Sequence, residues 1–222
     1  MRYTTGAVLT LAATISTVAA LAVGLTAAAA PAAAAVTYTI TDLGSLGGGI
    51  THGLAINASG QVTGDSVSSQ LVQVPCPPQK YGQPKKCFTN PDDAFVWSNG
   101  TMTDLGTLGG NFSEGVAINS SGEVVGTSET STGAEDGFLW SNGTMTDLGS
   151  NFSPAAINDS GVIVGGQFVY SGGTLQNLNT LIPQGSPYQI QSATGINDKG
   201  QIVANATDTA TNQNHALLLT PS

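Results

Sequence analysis

The sequence predicts an all-β fold built from four copies of a four-stranded unit, and three observations carry that prediction. The decapeptide from Trp97 to Gly106 recurs unchanged from Trp140 to Gly149. The motif Ile-Asn-x-x-Gly occurs at Ile56 to Gly60, Ile118 to Gly122, Ile157 to Gly161 and Ile196 to Gly200. Between these anchors run short apolar stretches bounded by Gly, Asn and Ser, the pattern of strands joined by tight turns. A unit of four short strands cannot bury both its faces alone, so neighbours must stack, and the propeller blade is the usual form of that stacking.

In chain order, the first segment differs in kind from the rest. Arg2 precedes an apolar stretch from Ala7 to Leu25 and an alanine run through Ala35. Residues 1–35 are therefore expected to be a signal peptide cut before Val36, which places the protein outside the cell. An uncleaved anchor is the rival, since the stretch is nearly long enough to span a bilayer. The alanine-rich composition and the A-x-A exit favour cleavage, with no stable membrane insertion afterwards.

Residues 36–222 form a single expected repeat domain, whose second copy displays the unit best. Gly115 to Asn119 makes a strand, Ser120 to Gly122 a turn, Glu123 to Thr127 a second strand, Gly137 to Trp140 a third, Ser141 to Gly143 a turn, and Thr144 to Leu148 a fourth. Asn119 can bond its own backbone two residues on, and Gly122 can supply positive φ. The small residues Ala55, Ala117, Ala156 and Gly195 precede the turn anchors, as crowding near a central axis would require. Val36 to Leu43 matches a fourth strand, and His215 to Leu219 matches a third. The expected architecture is a β-propeller of four blades, with the last blade closed by the N-terminal strand. An open four-unit β stack and two chains associating into a larger ring are the alternatives.

The strings from Asp104 to Gly110 and from Gly137 to Gly149 resemble the bacterial extracellular HAF repeats, named for a His-Ala-Phe tripeptide. Here that tripeptide is weakened to Asp93-Ala94-Phe95, Asp136-Gly137-Phe138 and His215-Ala216-Leu217. The resemblance implies export and a propeller-like fold, and it implies no activity. Copy three departs most, with Phe168 to Tyr170 in place of the Phe-x-Trp strand and Asn177-Leu178 in place of Asp-Leu.

Without residues 1–35 the chain keeps four lysines against 14 acidic residues, a net charge of 4 − 14 = −10 with both histidines neutral. Such a surface repels phosphate backbones and anionic lipid, which excludes nucleic acid as the expected partner. Cys76 and Cys87 sit 11 positions apart (87 − 76) in a proline-rich stretch. In an exported chain they are expected to form a disulfide, worth roughly 3 kcal/mol in the chain-entropy model.

Length variation falls on one end of the unit. The connection between second and third strands runs 31 positions from Gly64 to Phe95, 12 from Gly126 to Phe138, 3 from Gly165 to Phe168 and 13 from Ala204 to Leu217. Connections between fourth and first strands run from 11 positions (Asp147 to Asn158) to 20 (Asn177 to Asn197). The turn between first and second strands keeps its length, so the opposite end is the candidate binding surface.

The insert at about 66–93 carries Lys80, Lys85 and Lys86 beside Tyr81, a basic island where an anionic wall polymer, an acidic glycan or an acidic protein could dock. Phe112, Phe152 and Tyr188 lie in connections on the same end, the two phenylalanines in a shared Asn-Phe-Ser motif expected to pack beneath the loops. No nucleophile elbow, H-E-x-x-H, P-loop or Cys-x-x-Cys occurs. His52 and His215 are the sole imidazoles, and a His–carboxylate site with Glu114 or Glu135 is the only catalytic constellation on offer. No metal or cofactor is expected. The expected function is a secreted, non-enzymatic binding module using the variable face. The alternatives are an extracellular glycan hydrolase or lyase and a purely structural envelope protein.

Overall fold

The computed structural model describes residues 37–74 and 87–222, so the expected signal peptide lies outside the described residues. The chain divides into two compact bodies, Met1–Ile40 and Thr41–Ser222. Of the first, residues 37–40 are described and hold no regular structure, with Tyr38 and Ile40 exposed at 88% and 97%. Among the described residues no helix is long and apolar enough to cross a membrane.

The second body is all-β and follows the repeat. The first unit comprises β1 (Gly47–Ile56) and β2 (Val62–Ser68), an inserted hairpin of β3 (Val72–Val74) and β4 (Cys87–Thr89), then β5 (Asp92–Ser98) and β6 (Thr101–Gly106). The second comprises β7 (Gly109–Ile118), β8 (Val124–Thr130), β9 (Glu135–Ser141) and β10 (Thr144–Gly149). The third comprises β11 (Ala156–Ile157), β12 (Ile163–Gly165), β13 (Phe168–Ser171) and β14 (Thr174–Asn177), followed by a 3-10 turn at Leu178–Thr180. The fourth has β15 (Tyr188–Ile196), β16 (Ile202–Asp208) and β17 (Gln213–Leu219).

Strands pair antiparallel with their sequence neighbours inside each unit. One parallel bridge, Asp92 to Phe112, links the first unit to the second. Among the described residues the strands form several sheets, none of them closed, an arrangement compatible with an open stack of β units. Among the described residues the expected closing strand is not formed: β17 pairs only with β16, and residues 37–45 lie in no strand. An alternating pattern makes a segment competent to be a strand, but only an adjacent edge in register makes it one.

Three hydrophobic clusters lie between successive units. Ala94, Val96 and Leu105 of the first unit meet Ile118, Val124 and Phe138 of the second. Val125 of the second, with Leu139 and Leu148, meets Phe152, Ile157 and Ile163 of the third. Val164, Val169 and Leu178 of the third meet Ile190, Ile202 and Ala204 of the fourth. Ala55, Ala117 and Ala156 pack within these clusters, so the small residues before each turn serve close stacking of units. The glycines of the second strand serve a close approach inside the unit, because a Cβ at Gly64 or Gly126 would collide with the carbonyl of His52 or Glu114 on the first strand.

At the opposite edge of the stack the turn asparagines form a ladder. Asn119 Oδ1 accepts from the backbone N–H of Ser121 at 3.1 Å and of Glu123 at 3.0 Å, closing its own turn. Its Nδ2 donates to the carbonyl of Asn158 in the next unit at 3.2 Å. Asn57 donates likewise to Asn119 at 2.9 Å, and Asn158 to Asn197 at 3.1 Å. Each side chain therefore fixes a turn and spans two units. Asn119 and Asn158 are buried at 3% and 5% exposure, where an unmade hydrogen bond is costly. Asn119→Ala is expected to cost about 2–4 kcal/mol in denaturant unfolding, whereas Asn197→Ala, at the exposed end of the ladder, should cost about 1 kcal/mol. Equal losses at the two positions would show that the ladder contributes nothing beyond the individual turns.

Candidate functional site

The two ends of the units are built by different rules. At one end the Asn-x-x-Gly turns and the tight third-to-fourth-strand turns repeat. Asn99-Gly100 and Asn142-Gly143 hold positive φ at both central positions, the conformation that suits hairpin twist. At the other end the connections vary in length: residues 69–91, 131–134, 166–167 and 209–212 between second and third strands, and 107–108, 150–155 and 178–187 between fourth and first.

A hollow of about 630 Å³ opens at this variable end, where the shortest of the second-to-third connections meets the longest of the fourth-to-first. Its wall carries the side-chain amides of Gln167, Asn177, Asn179, Gln184 and Gln189, together with Tyr188, and no charged residue. Asn179 clamps the wall: its Oδ1 accepts from Ile190 N–H at 2.7 Å and its Nδ2 donates to Ile190 O at 3.0 Å. Leu178 N–H donates to Gln167 O at 2.8 Å, and Ala193 N–H to Gly166 O. The Tyr188 ring stands edge-on to His215, centroids 5.4 Å apart. The result is a preformed, neutral surface of amide donors and acceptors beside an aromatic ring, suited to hydroxyl groups and the apolar faces of sugar rings.

The first two units place charge on the same end. His52 Nδ1 and Asp65 Oδ2 lie 2.8 Å apart, with the imidazole 63% exposed and the carboxylate 7% exposed. That hydrogen bond, and then the charge of Asp65, raises the His52 pKa. Burial, then Asp65, pushes up both Asp92 and Glu114. Asp92 Oδ1 is buried with no hydrogen-bond partner among the described residues. Asp93, only 4% exposed, is pushed by burial and then by Asp104 and Asp92 to about 7. The second unit repeats the pair, burial and then Asp147 raising Asp136. Among the described residues no group of three or more His, Cys, Asp or Glu side chains could hold a metal.

Lys80, Tyr81, Lys85, Lys86 and Cys76 lie outside the described residues; Cys87 opens β4. The stem of that insert is well tied, Asn90 Nδ2 donating to Ser68 O at 2.8 Å and Ser68 N–H to Pro91 O at 2.9 Å. Phe152, at 2% exposure, is core as expected, and Phe112 is half-buried in β7. The two histidines belong to different surroundings: His52 bonds Asp65, and His215 meets Tyr188. Glu114 and Glu135 reach the His52 corner only through charge, whereas Asp65, its bonding partner, was not singled out by sequence. The amides of the hollow were missed as a group, although the length of the connection at 178–187 marked their place. No family model, curated protein or solved structure matches the chain.

The Asp93 shift has a defined sign. Between about pH 4 and its folded value of about 7, the native carboxyl keeps a proton that the unfolded one has released, so its contribution to stability falls as pH rises through that window. Asp93→Asn should flatten this slope and stabilise the protein at pH 8 by about 1 kcal/mol after allowance for solvent screening, or about 2–4 °C in Tm. Thermal melts at pH 5 and pH 8 decide it, and an unchanged slope in the variant would place the dependence elsewhere.

Proposed function

We propose that the chain is a secreted, non-enzymatic binding module on propeller-type blades, related to the HAF repeat proteins, whose variable end takes a neutral, hydroxyl-rich polymer such as a wall polysaccharide or glycan. The observation that carries this reading is the uncharged amide hollow around Tyr188, set in a chain that is otherwise strongly acidic. Sugars are held by bidentate amide contacts and by stacking on aromatic rings, and both are supplied here without net charge. Glycoside hydrolysis calls for two carboxyl groups flanking the scissile bond. The hollow is lined by none, which favours binding over a hydrolase or lyase.

The insert supplies a second reading of the same end. Its stem is tied at Ser68, Asn90 and Pro91, and Lys80, Tyr81, Lys85 and Lys86 of the insert would contact an anionic polymer or acidic protein. The acidic balance of the rest of the chain argues against nucleic acid as the partner.

Retention on immobilised neutral and acidic polysaccharides separates the two. Binding at the hollow should survive added salt and weaken by about tenfold or more in Tyr188→Ala and in Gln189→Ala, the loss of one stacking or amide contact. Binding at the insert should fall with salt and vanish when residues 67–92 are replaced by a short Gly-Ser linker. Retention unaffected by all three changes overturns the assignment to this face. The Cys76–Cys87 disulfide belongs to the same reading, and intact mass after alkylation without reductant should show no modified thiol; two alkylated cysteines would refute it.

A further inference from the structure

The junction between the fourth strand of the first unit and the first strand of the second is held by three hydrogen bonds. Gly106 N–H donates to Asp104 Oδ1 at 2.7 Å, Leu108 N–H to Ser128 Oγ at 2.8 Å and Gly109 N–H to Thr107 Oγ1 at 3.1 Å. Ahead of β1 the same three bonds recur: Gly44 N–H to Asp42 Oδ1 at 3.0 Å, Leu46 N–H to Ser66 Oγ at 3.0 Å and Gly47 N–H to Ser45 Oγ at 3.2 Å. Residues 39–44 read Thr-Ile-Thr-Asp-Leu-Gly where β6 reads Thr-Met-Thr-Asp-Leu-Gly. The segment thus has a fourth strand's sequence and a fourth strand's junction, yet residues 37–45 belong to no strand.

The complementary defect lies in the last unit. Among the described residues β17 pairs only with β16, and beside it runs an apolar groove of about 620 Å³. Val169, Gln176 and Leu178 of the third unit form one side, and Leu218, Leu219 and Pro221 the other. The outward faces of the terminal units expose positions that are buried between the inner units. Ile118 and Ile157 are buried at 9% and 8% exposure, but their counterpart Ile56 is 69% exposed. The cross-strand pair Val164 and Val169 is buried at 0% and 8%, but its counterpart Val203 and Leu218 is 47% and 63% exposed.

We propose that a second copy of this chain completes the fourth unit by strand addition: residues 37–43 of one copy pair with the free edge of β17 in another, and its Ile56 face stacks on Val203 and Leu218. Both contacts continue the interface that already joins units one to two, two to three and three to four. The two events are one, because residues 37–43 lead directly into β1 as β6 leads into β7. Such an interface is head-to-tail, so it builds a ring across copies where the rotation closes, and it covers a sheet edge that would otherwise recruit strands at random.

Sedimentation velocity on the purified chain over a wide concentration range tests this. The unmodified chain should self-associate. Ile40→Pro, which cannot join a strand ladder, and Leu218→Asp, which puts a carboxylate in the interface, should each weaken association by about 100-fold or more. Both positions are exposed, and matching thermal melts confirm that the variants remain folded. Mixed in equal amounts, the two variants should form a species of one copy each that grows no further, since each carries the half that the other lacks. An unmodified chain that stays monomeric throughout, association that survives Ile40→Pro, or variants that fail to complement would each overturn the proposal; the first of these is also what closure within a single copy predicts.

Discussion

The rest of the molecule depends on the asparagine ladder. One side chain satisfies the donors of its own turn through Oδ1 and reaches the neighbouring unit's carbonyl through Nδ2. That arrangement works only if successive turns have one length and one conformation, because a shift of one residue would carry the amide off its acceptor. The constraint fixes the spacing of units at that edge, and spacing in turn sets how closely the sheets approach. Ala55, Ala117 and Ala156, one strand position before the turn isoleucine, allow the approach, and the three apolar clusters follow from it. Polar satisfaction and hydrophobic burial are therefore specified by the same few residues.

Much of this was legible in the sequence, because turn chemistry is local. The fourfold Ile-Asn-x-x-Gly motif, the Asn-Gly hairpins and the alternation of strands each follow from conformational preferences of one or two residues. The His52–Asp65 pair was not legible, and the reason is a β-bulge. Counting back from the Ile56–Val62 pair in even steps sets His52 opposite Ser66, but an irregularity between Gly53 and Ala55 shifts the register and sets it opposite Asp65. The same irregularity falls between Gly115 and Ala117 and between Ala193 and Gly195. It is a property of the unit that no single residue announces. The segment at 37–43 shows the reverse failure, where a clear strand pattern lacks the edge that would make it a strand.

Charge and chemistry are divided along the stack. Carboxyls cluster on the first two units because the position before the apolar pair of the third strand is Asp in both, and the fourth-strand Asp-Leu places another beside it. In the third and fourth units Gly166 and His215 hold that position, and Asn177 replaces the fourth-strand aspartate. The departure of the third copy from its siblings is thus what leaves an amide, Asn177, in the wall of the hollow where its siblings have a carboxylate. A repeat that drifts in sequence while keeping its ladder asparagine changes its surface without disturbing its place in the stack.

The third unit also has the shortest strands, β11 with two residues and β12 with three, and so offers its neighbour little backbone to lean on. Asn179 supplies what is missing. By accepting from Ile190 N–H and donating to Ile190 O, its side chain imitates a paired strand residue and locks the connection at 178–187 against β15. Thr180 Oγ1, donating to Asn177 O at 2.7 Å, tightens the turn that presents the asparagine. The bonds that stand in for a shortened sheet are the same ones that hold Gln167, Gln189 and Tyr188 around one hollow. A ligand entering it meets amides already ordered by the fold and bears less of the entropic cost of ordering them, which is the condition under which weak, uncharged contacts add up to useful affinity.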